Sequence, residues 1–336
     1  MKINHRDLTR ERILIAEIGN NHEGDSNLAL ELAHAAVESG ADVVKVQVIN
    51  PERLVNISQT ARIEQLTRFR LPMQTFEEMA KIARSKGALF MASAFDVDSL
   101  EEINPLLDGI KIASGDLDFH PLLIKAASLN KPMILSTGMS ALAEIKTSVD
   151  VIVSALNSGL LADHLALLHC VSLYPAALAD ANLKVIQTLQ KEFNLTVGYS
   201  DHTLGIEAAV ASLSVGARII EKHFTLDKTR TTFRDHALSA DPADMRRLAD
   251  AIHQYDAMLG TGEKNISEAE AGMSEVARRS IVAAKDLSAG IILSESDFDC
   301  IRPRNGLPPY EISSLVGKKL KTSLKRHDVF LKEHVE

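Results

Sequence analysis

The stretch Val43-Val44-Lys45-Val46-Gln47 carries the alternation that decides the fold. Side chains two residues apart in a β-strand project to the same face. Val44 and Val46 would therefore face covering helices, while Lys45 and Gln47 would point to the opposite side. A strand that is apolar toward its helices and polar toward its other face near its carboxyl end suits a barrel with an open mouth.

Seven further apolar or β-branched runs alternate with longer helical segments along the chain. They are Ile13–Glu17, Leu89–Ser93, Gly109–Ala113, Met133–Ser136, Leu165–Cys170, Thr196–Ser200 and Ile219–His223. Strands that alternate with helices indicate βαβ units and a parallel sheet. Eight strands without an obvious crossover break favour a closed (β/α)8 TIM barrel, of class α/β, over a doubly wound sheet.

Capping residues mark the helices between these strands. The helix predicted from Asn27 to Ser39 is followed by Gly40, a residue suited to end a helix. Pro121 fits the first turn of the helix after the fourth strand. After the eighth strand, Asp241 and Pro242 suit the start of a helix that continues to residue 259.

The periodic pattern breaks near residue 265, which suggests a second domain. We assign residues 1–265 to the barrel, residues 266–278 to a linker and residues 279–336 to a small C-terminal module. The module opens on a strand-like run at residues 280–284 and is then rich in Gly, Pro and Lys. About 60 residues bury only a small core, so we expect the module to dock on something larger.

Composition excludes several classes of partner. The formal net charge of −8 argues against a nucleic-acid partner, because phosphate backbones require a basic face. No apolar run approaches the roughly 18 residues of a membrane span, and no secretory signal is visible. The two cysteines, Cys170 and Cys300, cannot build a disulfide framework, so we expect a reduced, cytoplasmic setting.

Ionisable and hydroxyl side chains recur at the carboxyl ends of the predicted strands, where TIM barrels place their active sites. Lys45 and Lys111 would both be buried, and a buried lysine needs a counter-charge. Such lysines could receive a phosphate and a carboxylate, or could pair with Glu17 and Glu221 in a structural network. The hydroxyls that could join them are Ser93, Ser114, Ser136 and Ser200.

His202 and His223 follow or end the seventh and eighth strands, which are neighbours about 4.8 Å apart in a barrel. Two imidazoles at equal depth could share one metal ion, with Glu17 as a ligand or acting through bound water. Oxygen ligands beside two histidines suit a divalent cation such as Mn²⁺ better than a closed zinc site. The alternative is that each histidine is merely hydrogen-bonded.

A polar loop, Asn20-Asn21-His22-Glu23-Gly24, follows the first strand. Its asparagines and glycine suit a tight turn between a strand and a helix. His22 and Glu23 are candidates either for function or for capping the following helix. Their spacing favours the cap.

A series of motifs in order resembles the sialic acid synthase family, also called N-acetylneuraminate synthases, over nearly the whole chain. They are Ala16-Glu17-Ile18-Gly19, Asn21-His22-Glu23-Gly24, Val43-Val44-Lys45, Lys111-Ile112-Ala113-Ser114-Gly115, Leu135-Ser136-Thr137-Gly138-Met139, Leu168-His169-Cys170, Tyr174-Pro175, Ser200-Asp201-His202-Thr203 and Glu221-Lys222-His223-Phe224-Thr225. The tail, with Arg302-Pro303 and Asn305-Gly306, resembles the family's antifreeze-like SAF domain of β-clip type.

The resemblance implies that phosphoenolpyruvate condenses with a 2-acetamido aldose, giving a nonulosonic acid and phosphate by C–O cleavage. The aldose would be of N-acetylmannosamine type or a diacetamido-trideoxy hexose. His202 and His223 would hold Mn²⁺, or another divalent cation such as Mg²⁺ or Co²⁺, to polarise the aldehyde. Glu17 would be the catalytic carboxylate. The protein would form a domain-swapped homodimer in which each tail covers the partner's barrel mouth.

The resemblance also implies which side chains bind each substrate. Phosphoenolpyruvate would be bound by Lys45, Ser93, Lys111, Ser114, Ser136 and Ser200. The sugar would contact Gln47, Asp116, Tyr174 and Asp235, with Arg302 arriving from the partner. The segment Thr232-Phe233-Arg234-Asp235-His236 and the residues Asp116 and Ser172 depart from the common bacterial pattern. The sugar therefore stays open among N-acetylmannosamine, its 6-phosphate and diacetamido-trideoxy hexoses.

Two other functions compete with that of a sialic acid synthase. The first is another phosphoenolpyruvate-dependent 3-deoxy-ulosonate synthase, of the kind that makes octulosonate or heptulosonate acids. The antifreeze-like tail argues against it. The second is a non-catalytic sugar-binding barrel, which would need neither paired lysines nor two histidines at metal-binding spacing.

Overall fold

The computed structural model describes residues 1–156 and 161–336, which divide into two compact units, residues 1–259 and 260–336. Each unit has a buried apolar core of its own. Within the described residues, every helix is too short or too polar to span a bilayer.

Eight parallel strands close into a barrel in the first unit. They are β3 (Ile13–Gly19), β4 (Val43–Val48), β5 (Leu89–Ala94), β6 (Gly109–Ile112), β7 (Met133–Ser136), β8 (Leu165–Cys170), β9 (Thr196–Asp201) and β10 (Ile219–His223). The ring closes where β10 pairs with β3, placing His223 opposite Glu17. The predicted TIM barrel is confirmed, and the predicted strands are all present with ends shifted by at most two residues.

Helices follow each of these strands along the chain. They are α1 (Ser26–Glu38), α2 (Pro51–Leu54), α3 (Thr60–Arg68), α4 (Met73–Ser85), α5 (Val97–Ile103), α6 (His120–Ser128), α7 (Leu142–Ala155), α8 (Leu161–His164), α9 (Val185–Phe193), α10 (Glu207–Ser214), α11 (Arg234–Leu238) and α12 (Pro242–Leu259). In α1 the apolar residues Leu28, Leu32 and Ala36 face the barrel and are buried. Gly40 follows this helix at a φ of 91°, a left-handed conformation that glycine adopts without strain.

An apolar plug, defined here as Met1, Ile3 and Leu8, closes the amino-terminal end of the barrel. A short antiparallel hairpin, β1 (Lys2–Ile3) with β2 (Arg6–Asp7), carries it. The plug packs against inward-facing residues from the first layers of the strands. Those residues are Ile13, Ile15, Val43, Leu89, Met91, Ile134, Ala166, Leu168 and Ile219. One end of the barrel is therefore filled with hydrocarbon, which leaves the carboxyl ends of the strands for a site.

The second unit, residues 260–336, contains α13 (Glu268–Ala277), β11 (Ser280–Ala283), β12 (Phe298–Ile301) and α14 (Ile312–Leu315). β11 and β12 pair antiparallel around a core that includes Ile281, Leu320 and Phe330. The segment assigned to a linker thus holds a helix. The Ser267 hydroxyl caps α13 by accepting a hydrogen bond from the Glu270 amide at 3.1 Å.

Candidate active site

A cavity of about 390 Å³ lies at the carboxyl ends of the barrel strands. The predicted site residues that line it come from every barrel strand or from the loop that follows the strand. They are Glu17, Lys45, Gln47, Ser93, Lys111, Ser114, Ser136, Tyr174, Ser200, His202, His223 and Asp235. Residues that are far apart in sequence are therefore brought together around one space.

Two predicted site residues lie outside this lining. Asp116 ends a short 3-10 turn (Ser114–Asp116) after β6. Its Oδ2 is buried and receives no hydrogen bond from the described part of the chain. Burial, with a further contribution from Asp118, raises the pKa of Asp116 to about 6. Arg302 belongs to the second unit and is exposed there. Its predicted contact with a sugar in a partner subunit stays a prediction.

Two lysines and two glutamates form a buried ionic network at the base of the cavity. Lys45 Nζ lies 2.6 Å from Glu17 Oε2 and 3.6 Å from Glu221 Oε2. Lys111 Nζ lies 3.6 Å from Glu221 Oε1. The pairing that sequence analysis kept as a structural alternative is thus present. Because all four side chains also line the cavity, the same network is available to a ligand.

Hydroxyl groups extend this network around the lysines. Lys45 donates to Ser93 Oγ at 3.3 Å, and Lys111 donates to Ser136 Oγ at 2.7 Å. Ser200 Oγ donates at 2.8 Å to the glutamate that the lysines share. Two ammonium groups ringed by hydroxyls form a receptor for a small molecule carrying more than one negative charge.

The two glutamates of the network differ in how readily they hold a proton. Burial raises the pKa of Glu17 above its ordinary value, against the opposing effect of Lys45. Burial also disfavours charge on Glu221, but Lys111 and Lys45 outweigh it and hold its pKa at about 2. Gln47 Nε2 donates to Glu17 Oε1 at 2.8 Å and orients it. Glu17 is the carboxyl suited to proton transfer, whereas Glu221 is a fixed anion.

His202 and His223 lie side by side at the wall of the cavity, with ring centroids 5.5 Å apart and ring planes at 53°. His202 Nδ1 lies 2.8 Å from the Val171 carbonyl oxygen, a contact that requires a proton on Nδ1 and leaves Nε2 free. Nδ1 of His223 is buried and has no hydrogen-bond partner among the residues that the structure describes. Burial lowers the pKa of His223 to about 3, so its imidazole is neutral at pH 7.

This pair of histidines can supply two nitrogen ligands to a divalent cation, so that most of its ligands would come from elsewhere. Within the described residues, no group of three or more His, Cys, Asp or Glu side chains is placed to hold a metal ion. Water or substrate oxygens would have to complete the coordination of a cation bound by His202 and His223. Burial lowers the pKa of His202, but Cys170, the Val171 carbonyl and Glu221 together more than offset burial, so the pKa is raised. A cation at Nε2 would compete with the second proton of this imidazole.

An aromatic and cationic stack that the sequence analysis did not predict covers one histidine. The Tyr174 ring lies 4.2 Å from that of His202, and the Arg234 guanidinium lies 4.9 Å from the Tyr174 ring centroid. Arg234 and its neighbour Phe233 both line the cavity. Their departure from the common bacterial pattern was the only sign in the sequence that this segment reaches the site.

The prediction that His22 or Glu23 caps α1 is wrong. The cap is Asp25, whose carboxylate accepts from two amides of the first helical turn, because it directly precedes that turn. Glu23 instead accepts from Thr231 Oγ1 at 3.0 Å and lies 3.1 Å from His236 Nε2. Glu23 therefore ties the segment formed by Thr231 and the first residues of α11 to the first loop of the barrel.

Comparison with known proteins identifies relatives along nearly the whole chain. An N,N'-diacetyllegionaminic acid synthase of Legionella pneumophila is 40% identical over 337 residues, covering 96% of this chain and 94% of that protein. The N-acetylneuraminate-9-phosphate synthase of Mus musculus is 32% identical, covering 96% of this chain and 92% of that protein.

A solved structure and two family models agree with these relatives. The crystal structure of an N-acetylneuraminic acid synthetase from Leptospira borgpetersenii, in complex with citrate, matches with a TM-score of 0.72 and 33% identity. It covers 78% of this chain and 90% of that one. The NeuB family model matches residues 32–264, and the SAF domain model matches residues 278–336. This chain is therefore a member of the NeuB family and carries a C-terminal SAF domain.

Proposed function

We propose that this protein condenses phosphoenolpyruvate with a 2-acetamido aldose to give a nonulosonic acid and inorganic phosphate. One observation carries the proposal: the buried network of Lys45, Lys111, Glu17 and Glu221 shares a cavity with the His202–His223 pair. The Legionella relative is named for an N,N'-diacetylated product. A diacetamido-trideoxy hexose is therefore the aldose that we propose first, ahead of N-acetylmannosamine and its 6-phosphate.

Phosphoenolpyruvate would bind over the lysines, with its phosphate and carboxylate receiving their hydrogen bonds. Without ligand, Lys45 and Lys111 are already held by carboxylates in hydrogen-bonding or ion-pairing range. An incoming anion therefore meets ammonium groups that are desolvated and oriented, so little reorganisation is needed. Glu221, with its pKa held at about 2, keeps both ammonium groups anchored while the ligand exchanges. The serines that line the same cavity are Ser93, Ser114, Ser136 and Ser200.

The reaction joins C3 of phosphoenolpyruvate to the aldehyde carbon of the sugar. As this bond forms, C2 becomes electron-poor and water adds to it. The C2–O bond then breaks and phosphate leaves with the bridging oxygen, while C2 becomes the new keto carbon. The attacking water gives up two protons: one goes to the aldehyde oxygen, which becomes a hydroxyl, and the other leaves with the phosphate. Glu17, whose pKa burial raises, would accept the first proton from the water and pass it on.

A divalent cation held by His202 and His223, most simply Mn²⁺ and otherwise Mg²⁺ or Co²⁺, would supply Lewis-acid polarisation of the aldehyde oxygen. Among the described residues, His202 Nε2 and His223 Nδ1 have no hydrogen-bond partner. Tyr174 packs on His202 and restricts its rotation. On this proposal the histidines lose ligand strength as pH falls, because His202 must be free of its second proton.

The sugar would occupy the part of the cavity between the histidines and the loop after β10. Gln47, Tyr174 and Asp235 line this part. Asp235 Oδ1 lies 3.3 Å from Arg234 Nε in an ion pair, and no hydrogen bond from the described residues reaches it. A carboxylate oxygen with acceptor capacity left beside a cavity suits a sugar hydroxyl or an acetamido N–H. Asp116, whose Oδ2 also lacks a partner, would join through a small movement of its turn.

We further propose that the protein works as a domain-swapped homodimer in the cytoplasm. Arg302 would reach the sugar of the partner subunit, and the exposed side chain is free to do so. Both cysteines are unpaired, and Cys170 lines the cavity, which suits a reducing compartment.

The decisive experiment measures phosphate release from phosphoenolpyruvate with Mn²⁺ across a panel of aldoses. The panel holds diacetamido-trideoxy hexoses, N-acetylmannosamine, its 6-phosphate, arabinose 5-phosphate and erythrose 4-phosphate. We expect turnover with an acetamido sugar and with neither sugar phosphate that lacks an acetamido group. With ¹⁸O in the bridging position of phosphoenolpyruvate, the label should leave in the phosphate. Turnover restricted to erythrose or arabinose phosphate would reject the proposal.

The swapped dimer is tested by subunit complementation. Arg302→Ala should raise KM for the sugar and spare that for phosphoenolpyruvate, whereas the control Arg326→Ala, in the same unit, should change neither. Mixing and reassociating Glu17→Gln and Arg302→Ala subunits would create one site in each heterodimer with both native residues. Recovered activity supports the swap, and a mixture no more active than its components contradicts it.

A further inference from the structure

A fully buried ion pair lies directly behind the two histidines. Lys222 Nζ is 2.9 Å from Asp201 Oδ2, and both side chains have no solvent-exposed area. Their Cα atoms are register partners on β10 and β9. Neither side chain lines the cavity, because strand alternation turns them outward while Ser200 and Glu221 turn inward. The pair therefore touches neither the cavity nor solvent.

The pair also fixes the backbone on both sides of His202. Asp201 Oδ1 accepts from the Thr203 amide at 2.9 Å, and Lys222 Nζ donates to the Thr203 carbonyl at 2.5 Å. Both backbone groups of Thr203 are thus bound to a side chain of the pair. Because Lys222 immediately precedes His223, the segment that carries one histidine is tied to the strand that carries the other.

We propose that Asp201 and Lys222 are positioning residues that hold His202 and His223 at the spacing at which they share one divalent cation. The inference rests on the metal site of the proposed function. A buried ion pair is a poor source of stability, because desolvation offsets much of its attraction. Partners that orient metal ligands from behind, by contrast, set the affinity of the site. The hydrogen bonds to Thr203 give this pair such an orienting role.

A second ion pair at the other end of the barrel provides a matched control. Arg12, which is 3% exposed, pairs with Asp256 and donates from Nε to the Ala217 carbonyl at 3.0 Å. This pair also joins a buried cation to the barrel backbone, but it precedes β3 and lies far along the strands from both histidines. A purely structural role for buried pairs would make the two behave alike.

The test compares Asp201→Asn, Lys222→Met and Arg12→Met with the unaltered protein. Mn²⁺ affinity of the substrate-free protein is measured by titration with electron paramagnetic resonance of free Mn²⁺, alongside Tm and the Kd for phosphoenolpyruvate. We expect Asp201→Asn and Lys222→Met to weaken Mn²⁺ binding about 10- to 100-fold and leave phosphoenolpyruvate binding within about twofold. Arg12→Met should lower Tm and leave Mn²⁺ affinity unchanged.

Equal Mn²⁺ affinity in the unaltered protein and in Asp201→Asn would overturn the inference, as would an equal loss of phosphoenolpyruvate binding. If Lys222→Met does not fold, the Mn²⁺ affinity of Asp201→Asn alone decides the test. The asparagine amide has the same volume as the carboxylate, and its oxygen can still accept a hydrogen bond from Lys222. A native protein that takes up no Mn²⁺ would reject the metal site of the proposed function together with this inference. Binding by the native protein without a difference in the variants would reject only the inference.

Discussion

The two ends of the barrel are built by the same strands from opposite kinds of residue. The inward positions of β10 run from Ile219 to Glu221 and then His223. Those of β4 run from Val43 to Lys45 and then Gln47. Each strand thus changes from hydrocarbon to ionisable groups within two residues. The amino-terminal layer is closed by the apolar plug, and the carboxyl-terminal layer opens into the cavity.

This difference separates the source of stability from the source of chemistry. Burying the apolar plug removes hydrocarbon from water and stabilises the fold. Burying Lys45, Lys111, Glu17 and Glu221 requires desolvation of four charges, which mutual pairing only partly offsets. We call the carboxyl-terminal layer of ionisable residues the upper layer. Substitutions there should remove activity with little loss of stability. Substitutions in the apolar plug should lower stability and leave activity unchanged.

The largest effect is expected for Glu17→Gln at the upper layer. The amide keeps the shape of the side chain but cannot accept or release the proton of the attacking water. We expect kcat to fall by about 10³-fold, within the usual range for general acid–base groups. Phosphate release under saturating substrates measures this loss.

The control for Glu17→Gln is Glu31→Gln, which alters an exposed carboxylate on α1 outside this cavity. It should retain most of kcat. Far-ultraviolet circular dichroism and Tm should match the native protein in both variants, since Glu221 still compensates Lys45. A Glu17→Gln enzyme with near-native kcat would remove Glu17 from the mechanism.

The next effect is expected for Leu8→Ala in the apolar plug. Leu8 is 1% exposed, and its truncation leaves a cavity against the first layer of the barrel. We expect the free energy of unfolding to fall by about 3 kcal/mol, measured by urea denaturation, with kcat unchanged at temperatures where the variant is folded. Val153→Ala, at a position 48% exposed on α7, should change stability by less than about 0.5 kcal/mol. Similar losses in both variants would mean that the plug has no special role.

The amino-terminal hairpin shows where periodicity fails as a guide to the fold. All eight barrel strands were predictable because each holds four or more apolar or alternating residues between helical segments. The hairpin strands Lys2–Ile3 and Arg6–Asp7 have two residues each, too few to display a period. The role of the apolar residues in and beside them, Met1, Ile3 and Leu8, becomes clear only from the structure, where they close one end of the barrel.

The site divides in a similar way between what spacing predicts and what it cannot. Strand alternation placed Lys45, Lys111 and the two histidines on the inner face, because register follows from the pattern of each strand. It could not distinguish the two glutamates, since their pKa values depend on distances to both ammonium groups. Nor could it place Arg234, the first residue of α11, because the position of this segment depends on the Glu23–His236 contact. The roles assigned to the cation and to Arg302 depend on family resemblance.

The smallest effect is expected for Asp116→Asn, and it should depend on pH. Burial raises the folded-state pKa of Asp116 to about 6, above an ordinary value of 3.8. The unfolded chain therefore releases this proton at a lower pH than the folded protein does. As pH rises from about 4 to 6, Asp116 lowers the free energy of unfolding. Above about pH 6 this loss of stability remains constant. Asp116→Asn should raise Tm by roughly 1–2 °C at pH 7.5 and leave it unchanged at pH 4.

Asp118→Asn, which removes the neighbouring charge, should give a smaller change of the same sign. Scanning calorimetry at the two pH values measures both, and the loss in Leu8→Ala should show no such dependence. If Asp116→Asn were less stable than the native protein at pH 7.5, the native Asp116 carboxylate would have to be stabilised by partners in the folded state. The charge of Asp116 would then not destabilise this part of the upper layer.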